Sequence, residues 1–244
     1  MTVDNYFLYR IKPRLDLGYK QIMEIGNLDP YNQHQAMWKL FKLPRQETKE
    51  KADFLFRFEI DKQNKLPVFY LLSSKGPPND IEGLWEIESK IYNPDVRDGD
   101  RLAFKLRANP VVKRKPSEPD SNPKKRKRHD VVMEAKTRLK NEGVPRKDWP
   151  ITNEIIHQAS IEWLKNRSDK NGFGFNDNGE KNEVQASGYQ IFQFYKKGKK
   201  VSFSAVDFEG VLTITDGDLF KKTLFEGLGP SKAFGCGLML VKRI

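Results

Sequence analysis

The first half of the chain alternates strand-like and helix-like hydrophobic patterns. Aromatic and β-branched residues, or a strict alternation of apolar and charged residues, predict strands; these cover residues 5–12, 54–61, 67–73 and 86–92. Asp29-Pro30 predicts the start of a helix that runs to about residue 42, because aspartate caps helices and proline fits their first position. The Gln63-Asn64-Lys65 stretch suits a hairpin, and 79–85 is predicted as a second, short helix.

The second half repeats this order of elements. Strands are predicted over residues 100–106, 188–195, 201–206 and 238–241. A helix over 152–166 places Ile155, Ile156, Ala159 and Trp163 on one face. Thr215 and Asp218 resemble a capping box at the start of a last helix that ends near Gly227. The order predicts an α+β protein with two tandem ferredoxin-like (RRM-like) βαββαβ domains, 1–97 and 98–244.

A proline-rich basic stretch interrupts the second half. Residues 113–128 read KRKPSEPDSNPKKRKR, in which eight of sixteen residues are basic and three are proline. We interpret it as an exposed loop within an insertion of about 111–149. Two interpretations stay open at this point: a solvated loop with incidental charge, and an arm that contacts nucleic acid.

Charge and composition narrow the classes of function. The 244 residues contain 44 Lys and Arg against 33 Asp and Glu, and the net charge of +11 favours a polyanionic partner. A single cysteine, Cys236, excludes an internal disulfide and a cysteine-based zinc cluster, and the three histidines are too far apart in sequence for a metal motif. We expect no metal and no cofactor. The sequence shows neither a signal peptide nor a membrane span, so a cytoplasmic protein is expected.

His34 is the best candidate for acid–base chemistry. It lies about one turn into the predicted helix, three residues after Tyr31, at the edge of the apolar face. RNA carries its own nucleophile, the 2′-hydroxyl, so a protein that cleaves it needs only groups that move protons and stabilise the phosphorane. Histidine titrates near neutrality and suits that role. A histidine with a purely structural role is the alternative. His129 and His157 are interpreted as surface residues.

The C-terminal segment is the most specific part of the chain. From Gly227 it reads GLGPSKAFGCGLMLVKRI, a glycine-rich loop around Ser231-Lys232 after a predicted helix and before a predicted strand. Such a loop suits a phosphate backbone, although it lacks the order of a P-loop. A tight turn that packs the final strand is an equally good interpretation.

The same segment resembles the CasE family, the type I-E CRISPR-associated endoribonucleases that cut CRISPR precursor RNA. The match is carried by Gly227, Gly229, Lys232, Ala233, Phe234, Gly235, Gly237, Leu238 and Val241. Three further stretches resemble the family: Tyr31-x-x-His34 with Trp38 and Phe41, residues 106–110 (LRANP), and residues 201–216, which we interpret as mainly structural.

The resemblance implies a function and a set of site residues. It implies the same tandem ferredoxin-like fold, His34 as the catalytic histidine with Tyr31 as its partner, and products with a 2′,3′-cyclic phosphate and a 5′-hydroxyl. It also implies cleavage at the base of a repeat stem-loop, retention of the product in Cascade with other subunits, and a monomer when free. Together with the basic stretches, it predicts RNA contacts by Arg107, Lys196, Lys197, Lys199, Lys200, Gly229, Ser231, Lys232, Gly235, Lys113, Arg114, Lys124, Lys125 and Arg126.

Two other functions stay open on the sequence alone. The first is a non-catalytic RNA-binding module with tandem RRM-like folds, although the usual RRM strand motif is absent. The second is a metal-dependent nuclease built on Asp and Glu residues. Alanine substitution of His34 distinguishes the first from an enzyme, and resistance to chelators distinguishes the second.

Overall fold

The computed structural model describes residues 5–41, 54–75, 78–80, 82–114, 127–175, 184–196 and 198–244. The chain divides into two compact units. The first contains Met1–Asp95, Gln193–Val201 and Leu224–Leu238, and the second contains Val96–Phe192, Ser202–Thr223 and Met239–Ile244. The division into domains 1–97 and 98–244 stays a prediction.

The first unit is built on a four-stranded antiparallel sheet. Its strands are β1 (Phe7–Pro13), β2 (Phe54–Ile60), β3 (Pro67–Ser73) and β4 (Trp85–Ile91). Their order in the sheet is β2-β3-β1-β4, in which the first and third strands are central neighbours, as in a split βαβ unit. The predicted hairpin connects β2 and β3, where Asp61 N–H donates to Leu66 O at 2.8 Å.

Two helices follow β1 in the first unit: α1 (Tyr19–Gly26) and α2 (Pro30–Leu40). The predicted helix from Pro30 is confirmed as α2, which buries Met37 and Leu40 against the sheet. The sequence analysis did not predict α1, in which Ile25 is the only buried residue.

The predicted helix over 79–85 is wrong. The described residues of this stretch form an irregular turn, and Trp85 already belongs to β4. Trp85 N–H, which a helix would pair internally, donates instead to Asp80 Oδ2 at 2.7 Å. Asn79 N–H donates to Leu40 O at 2.6 Å. The side chain of Asp80 therefore stabilises a turn in place of a helix.

The second unit contains the remaining elements, and β9, β10 and α5 continue into residues grouped with the first unit. In chain order they are β5 (Arg101–Ala108), β6 (Val111–Arg114), β7 (Lys127–Asp130), α3 (Val131–Asn141), α4 (Thr152–Ser168), β8 (Phe173–Gly174), β9 (Val184–Lys196), β10 (Lys199–Ile214), α5 (Gly217–Glu226) and β11 (Met239–Arg243).

The sheet of the second unit repeats the strand order of the first. It runs β11-β5-β10-β8, and β9 also pairs with β10. The first and third main strands are again central neighbours, so the tandem ferredoxin-like α+β fold is confirmed. Ala205 and Leu212 of β10 are buried. Phe203 is only half-buried, and its ring stacks on that of Phe192 with centroids 5.2 Å apart.

The insertion contains regular structure that its composition did not indicate. β6 and β7 pair as a two-stranded antiparallel sheet, and α3 follows directly. The carboxylate of Asp130 caps α3 by accepting a hydrogen bond from Met133 N–H at 2.8 Å. The prediction of an exposed loop over 113–128 is therefore wrong at its two ends, which are strands.

The helices α4 and α5 correspond to predicted helices, with one correction. In α4, Ile155 and Trp163 are buried, whereas Ile156 and Ala159 are half-buried. Asp216, not Thr215, caps α5, because its carboxylate accepts a hydrogen bond from Leu219 N–H at 2.9 Å. None of the helices in the described part of the chain is long and apolar enough to cross a membrane.

Candidate active site

The N-terminal turn of α2 presents Tyr31 and His34. The carboxylate of Asp29 accepts a hydrogen bond from Asn32 N–H at 2.8 Å, and Pro30 occupies the first turn. These two residues fix the start of the helix, and the three-residue spacing then places Tyr31 and His34 on adjacent parts of its surface. Both side chains are half-buried.

The imidazole of His34 lies among aromatic rings of the first unit. Its centroid is 5.8 Å from that of Trp38, one turn later on α2, and 5.5 and 6.2 Å from those of Phe54 and Phe56 on β2. Its Nδ1 is buried and has no hydrogen-bond partner among the described residues. Burial is the main cause that lowers the pKa of His34 from 6.5 to about 4, and the positive charge of Lys196 is the second cause. The imidazole is therefore neutral at pH 7.

The tip of the β9–β10 hairpin contributes a cation and an aromatic ring to this region. The ring of Phe194 stacks on that of Tyr31 with centroids 6.1 Å apart. Two residues later, Lys196 Nζ lies 5.9 Å from the centroid of Tyr31 and 5.8 Å from that of Phe234. Each contact is within the range of a cation–π interaction. The hairpin thus holds an exposed ammonium group beside the candidate histidine and tyrosine.

The glycine-rich loop supplies the third side of the same cluster. The ring of Phe234 packs edge-on against that of Phe194, with centroids 5.0 Å apart. A Cβ at Gly235 would lie 3.4 Å from Cε2 of Phe56, one of the rings that surround His34. Glycine therefore allows the loop to approach β2 closely. The three segments α2, 193–201 and 224–238 all belong to the first unit.

The loop residues predicted to contact RNA have defined positions. Gly229 and Gly235 have φ angles of 82° and 78°. Ser231 is also left-handed, with φ of 61°. Lys232 Nζ donates to Glu226 O, the carbonyl of the last residue of α5, at 2.5 Å. This contact caps the helix C-terminus, so Lys232 has a structural role in this structure.

The remaining predicted RNA contacts divide into three groups. Lys113, Lys199 and Lys200 are exposed. Two arginines are ion-paired: Arg107 contacts Asp207 through Nε–Oδ1 at 3.0 Å and Nη2–Oδ2 at 2.8 Å, and Arg114 Nη2 lies 2.6 Å from Glu134 Oε1. Lys124, Lys125, Arg126 and Lys197 lie outside the described residues.

Sequence reasoning missed three side chains that shape the site. Phe56, Phe194 and Phe234 bring β2, the hairpin and the loop together around α2. Phe56 and Phe194 lie within predicted strands and were not predicted as site residues. Phe234 lies in the resemblance motif, but nothing in its sequence context predicted a contact with the hairpin.

The arrangement can accept a proton and stabilise a negative charge. A neutral imidazole at pH 7 is a general base, and a nearby ammonium group lowers the energy of an anionic transition state. Within the described ranges, no group of three or more His, Cys, Asp or Glu side chains could hold a metal ion.

The fold and this site define a tandem ferredoxin-like protein with a histidine, tyrosine and lysine cluster beside a glycine-rich loop. A family model described as CRISPR associated protein matches residues 7–243. The chain therefore belongs to this CRISPR-associated family.

Individual relatives agree with the family assignment. The chain is 27% identical over 213 residues to the CRISPR system Cascade subunit CasE of Escherichia coli K12, covering 86% of this chain and 90% of the relative. It is 25% identical over 222 residues to the CRISPR-associated endoribonuclease Cse3 of Thermus thermophilus, covering 87% and 90%. The structure of Thermus thermophilus Cse3 bound to an RNA representing a pre-cleavage complex has the same fold, with a TM-score of 0.67 at 23% identity over 98% of this chain and 99% of that one. These matches confirm the resemblance to CasE.

Proposed function

We propose that this chain is an endoribonuclease that cuts CRISPR precursor RNA at the base of the repeat stem-loop and then retains the product within Cascade. The observation that carries the proposal is the neutral imidazole of His34 beside Lys196 in a member of this family. Two relatives support it by name, one as a Cascade subunit and one as an endoribonuclease. A cytoplasmic location is part of the proposal, because the RNA substrate would be met there.

His34 acts as the general base in the proposed reaction. It removes the proton of the 2′-hydroxyl, and the 2′ oxygen then forms a bond to phosphorus while the bond from phosphorus to the 5′ oxygen breaks. Tyr31 donates a proton to the 5′ oxygen and recovers one from the imidazolium of His34. The products are a 2′,3′-cyclic phosphate and a 5′-hydroxyl, and the protein returns to its starting protonation state.

Lys196 supplies the electrostatic part of the proposed mechanism. The phosphorane carries more negative charge than the ground state, so a fixed cation beside it stabilises the transition state preferentially. The rings of Tyr31 and Phe234 hold the ammonium group in place. Lys199, Lys200 and the glycine loop belong to the proposed RNA-binding surface, as do Arg107 and four residues of the insertion, Lys113, Lys124, Lys125 and Arg126.

The outer face of the first sheet argues against an RRM-like binding module there. RRM sheets stack bases on aromatic side chains of their central strands. Here Arg10 and Lys12 of the central strand β1 lie opposite Glu88 and Glu86 of β4. Lys12 Nζ is 3.1 Å from Glu88 Oε1, and Arg10 Nη1 is 3.7 Å from Glu88 Oε2. On β1, charge pairs thus occupy the positions where stacking would occur, whereas Tyr70 of the other central strand β3 lies opposite Arg10.

Substitution of His34 tests the proposed function. We expect His34→Ala to lower the single-turnover cleavage rate of a repeat stem-loop RNA by about 10²–10⁴, because general acid–base help is lost. Binding of the same RNA should persist. Cleavage by the unmodified protein should also proceed in a chelator, whereas a two-metal nuclease would stop. Undiminished cleavage by His34→Ala would reject the mechanism.

A further inference from the structure

Two cations face each other across the β6–β7 ribbon. Lys113 is the direct partner of Arg128 in the antiparallel register, and both side chains are exposed. Side chains that are directly opposite in such a ribbon share one face with Cβ atoms about 5 Å apart, and like charges at these positions destabilise the pairing. The ribbon therefore places two like charges at directly paired positions, an arrangement that its own folding does not require.

The neighbouring Arg114 differs from Lys113, because its charge is neutralised by an ion pair within the protein. Arg114 follows Lys113 and projects from the opposite face of the ribbon, because side chains alternate along a strand. Its Nη2 is 2.6 Å and its Nε is 2.9 Å from Oε1 of Glu134 on α3. No ion pair of this kind joins Lys113 or Arg128 to any acid in the part of the chain that the structure describes.

The carboxylate on the same face of the ribbon is already engaged. Asp130 lies two residues after Arg128, so it shares the face of Lys113 and Arg128. Its oxygens accept hydrogen bonds from Met133 N–H at 2.8 Å, from Tyr189 OH at 3.2 Å and from the hydroxyl of Ser204. These contacts direct the carboxylate toward α3, β9 and β10, and it forms no ion pair with Lys113 or Arg128.

We infer that Lys113 and Arg128 together form a phosphate-binding site for the RNA backbone. A phosphate between the two side chains would convert their mutual repulsion into two attractions. The inference rests on the proposed function for the identity of the polyanion. It adds Arg128 to the RNA-binding residues, and it assigns Arg114 to the packing of α3. Because phosphate contacts carry no base information, the site is independent of RNA sequence.

The test rests on a substitution that should weaken RNA binding without lowering the stability of the protein. Lys113→Glu places an acid directly opposite Arg128, so we expect an unchanged melting temperature or a rise of about 1–2 °C. The same substitution should raise the Kd for RNA roughly tenfold at moderate salt. Lys113→Gln should lower the slope of log Kd against log salt by about one. Binding is measured with the full chain and two RNAs. The first is a repeat stem-loop with a 2′-deoxy group at the scissile nucleotide, which prevents cleavage. The second is an unstructured RNA of equal length.

Two variants serve as controls. Lys62→Glu makes the same charge change at an exposed lysine of the β2–β3 turn and should leave Kd close to that of the unmodified protein. Arg114→Gln should lower the melting temperature, because Glu134 loses its partner, and should change Kd less than Lys113→Gln does.

The inference fails if Lys113→Glu binds both RNAs as Lys62→Glu does, as expected if the ribbon instead faces an acidic protein. It also fails if Lys113→Glu lowers the melting temperature by several degrees, since Lys113 would then be structural. Cleavage of the unmodified stem-loop is measured separately. A chain that binds RNA through the ribbon but does not cut it would reject the proposed function alone.

Discussion

At the scale of the residue, two effects lower the pKa of His34. Burial among Trp38, Phe54 and Phe56 removes water that would solvate an imidazolium, and Lys196 repels its positive charge. Both favour the neutral ring. An exposed histidine on the same helix would be partly protonated near neutral pH. The surroundings of His34 therefore keep its imidazole neutral at pH 7 and lower its affinity for a proton.

The stability of the chain should therefore depend on pH through His34. Its pKa is about 4 in the folded state and ordinary, 6.5, in the unfolded state. Between these values the unfolded chain binds more protons, so the free energy of unfolding falls as pH falls from 6.5 to 4. We expect the free energy of unfolding to fall by roughly 3 kcal/mol over this pH range, and we expect His34→Gln to lack this decrease. Denaturant unfolding of both proteins at several pH values measures this decrease. Parallel curves of unfolding free energy against pH would contradict the prediction.

The sequence was sufficient to predict that Tyr31 and His34 share one surface of a helix, but not the protonation state of His34. Asp29-Pro30 and the Tyr31-x-x-His34 spacing follow from local rules of helix geometry. The neutral imidazole depends on Phe54 and Phe56 from a strand and on Lys196 from a distant hairpin. No local pattern of the sequence brings these side chains together.

At the scale of the element, the glycine-rich loop is first a packing element. Gly227 has φ of 74°, and a Cβ there would lie 2.8 Å from Leu55 Cδ1 and 3.0 Å from Gly237 O. Leu228 N–H donates to Gly237 O at 2.9 Å, which closes the loop on itself. These contacts favour the interpretation of a tight turn, and they fix the backbone that the proposed RNA contact would use.

Substitution of Gly227 separates backbone strain from steric clash. Gly83 also belongs to the first unit and has φ of 65°, but a Cβ there meets nothing within 4 Å. Gly83→Ala should destabilise by about 1 kcal/mol through strain alone. Gly227→Ala should destabilise by about 2–4 kcal/mol, because Leu55 and the carbonyl of Gly237 must move. Denaturant unfolding measures the stability of both variants. Equal losses of stability would contradict a steric clash at Gly227.

The strands β2 and β3 and the helix α4 were predicted from hydrophobic patterns in the sequence. The prediction failed at the turn around Asp80, whose carboxylate accepts a hydrogen bond from Trp85 N–H, because the spacing of hydrophobic residues does not record such a bond. The helix α1, with Ile25 as its only buried residue, was also missed, although its apolar residues follow a helical period.

At the scale of the whole molecule, the first unit is completed by two segments from the second half of the chain. Residues 193–201 and 224–238 group with Met1–Asp95, and they supply Phe194, Lys196 and Phe234 to the site. The order of elements predicted two similar folds. It did not indicate that the candidate site of the first draws side chains from both halves of the chain.

A fragment should reveal this dependence. Residues 1–97 alone retain Tyr31 and His34 but lack the ammonium group of Lys196 and the rings of Phe194 and Phe234. We expect this fragment to cut stem-loop RNA at less than about a hundredth of the rate of the whole chain, since positioning and electrostatic stabilisation are both lost. Co-expression with residues 98–244 should restore cleavage. Full activity of the fragment alone would show that these contacts are dispensable.

Because aromatic rings surround His34, its affinity for a proton should depend on whether RNA is bound. While the site contains only protein, the low pKa of the ring leaves it a weak base. An RNA phosphate that arrives beside it adds a negative charge in surroundings that screen poorly, and this raises the affinity of the ring for a proton. A phosphate held beside the ring would therefore make His34 a stronger base than it is in the RNA-free site.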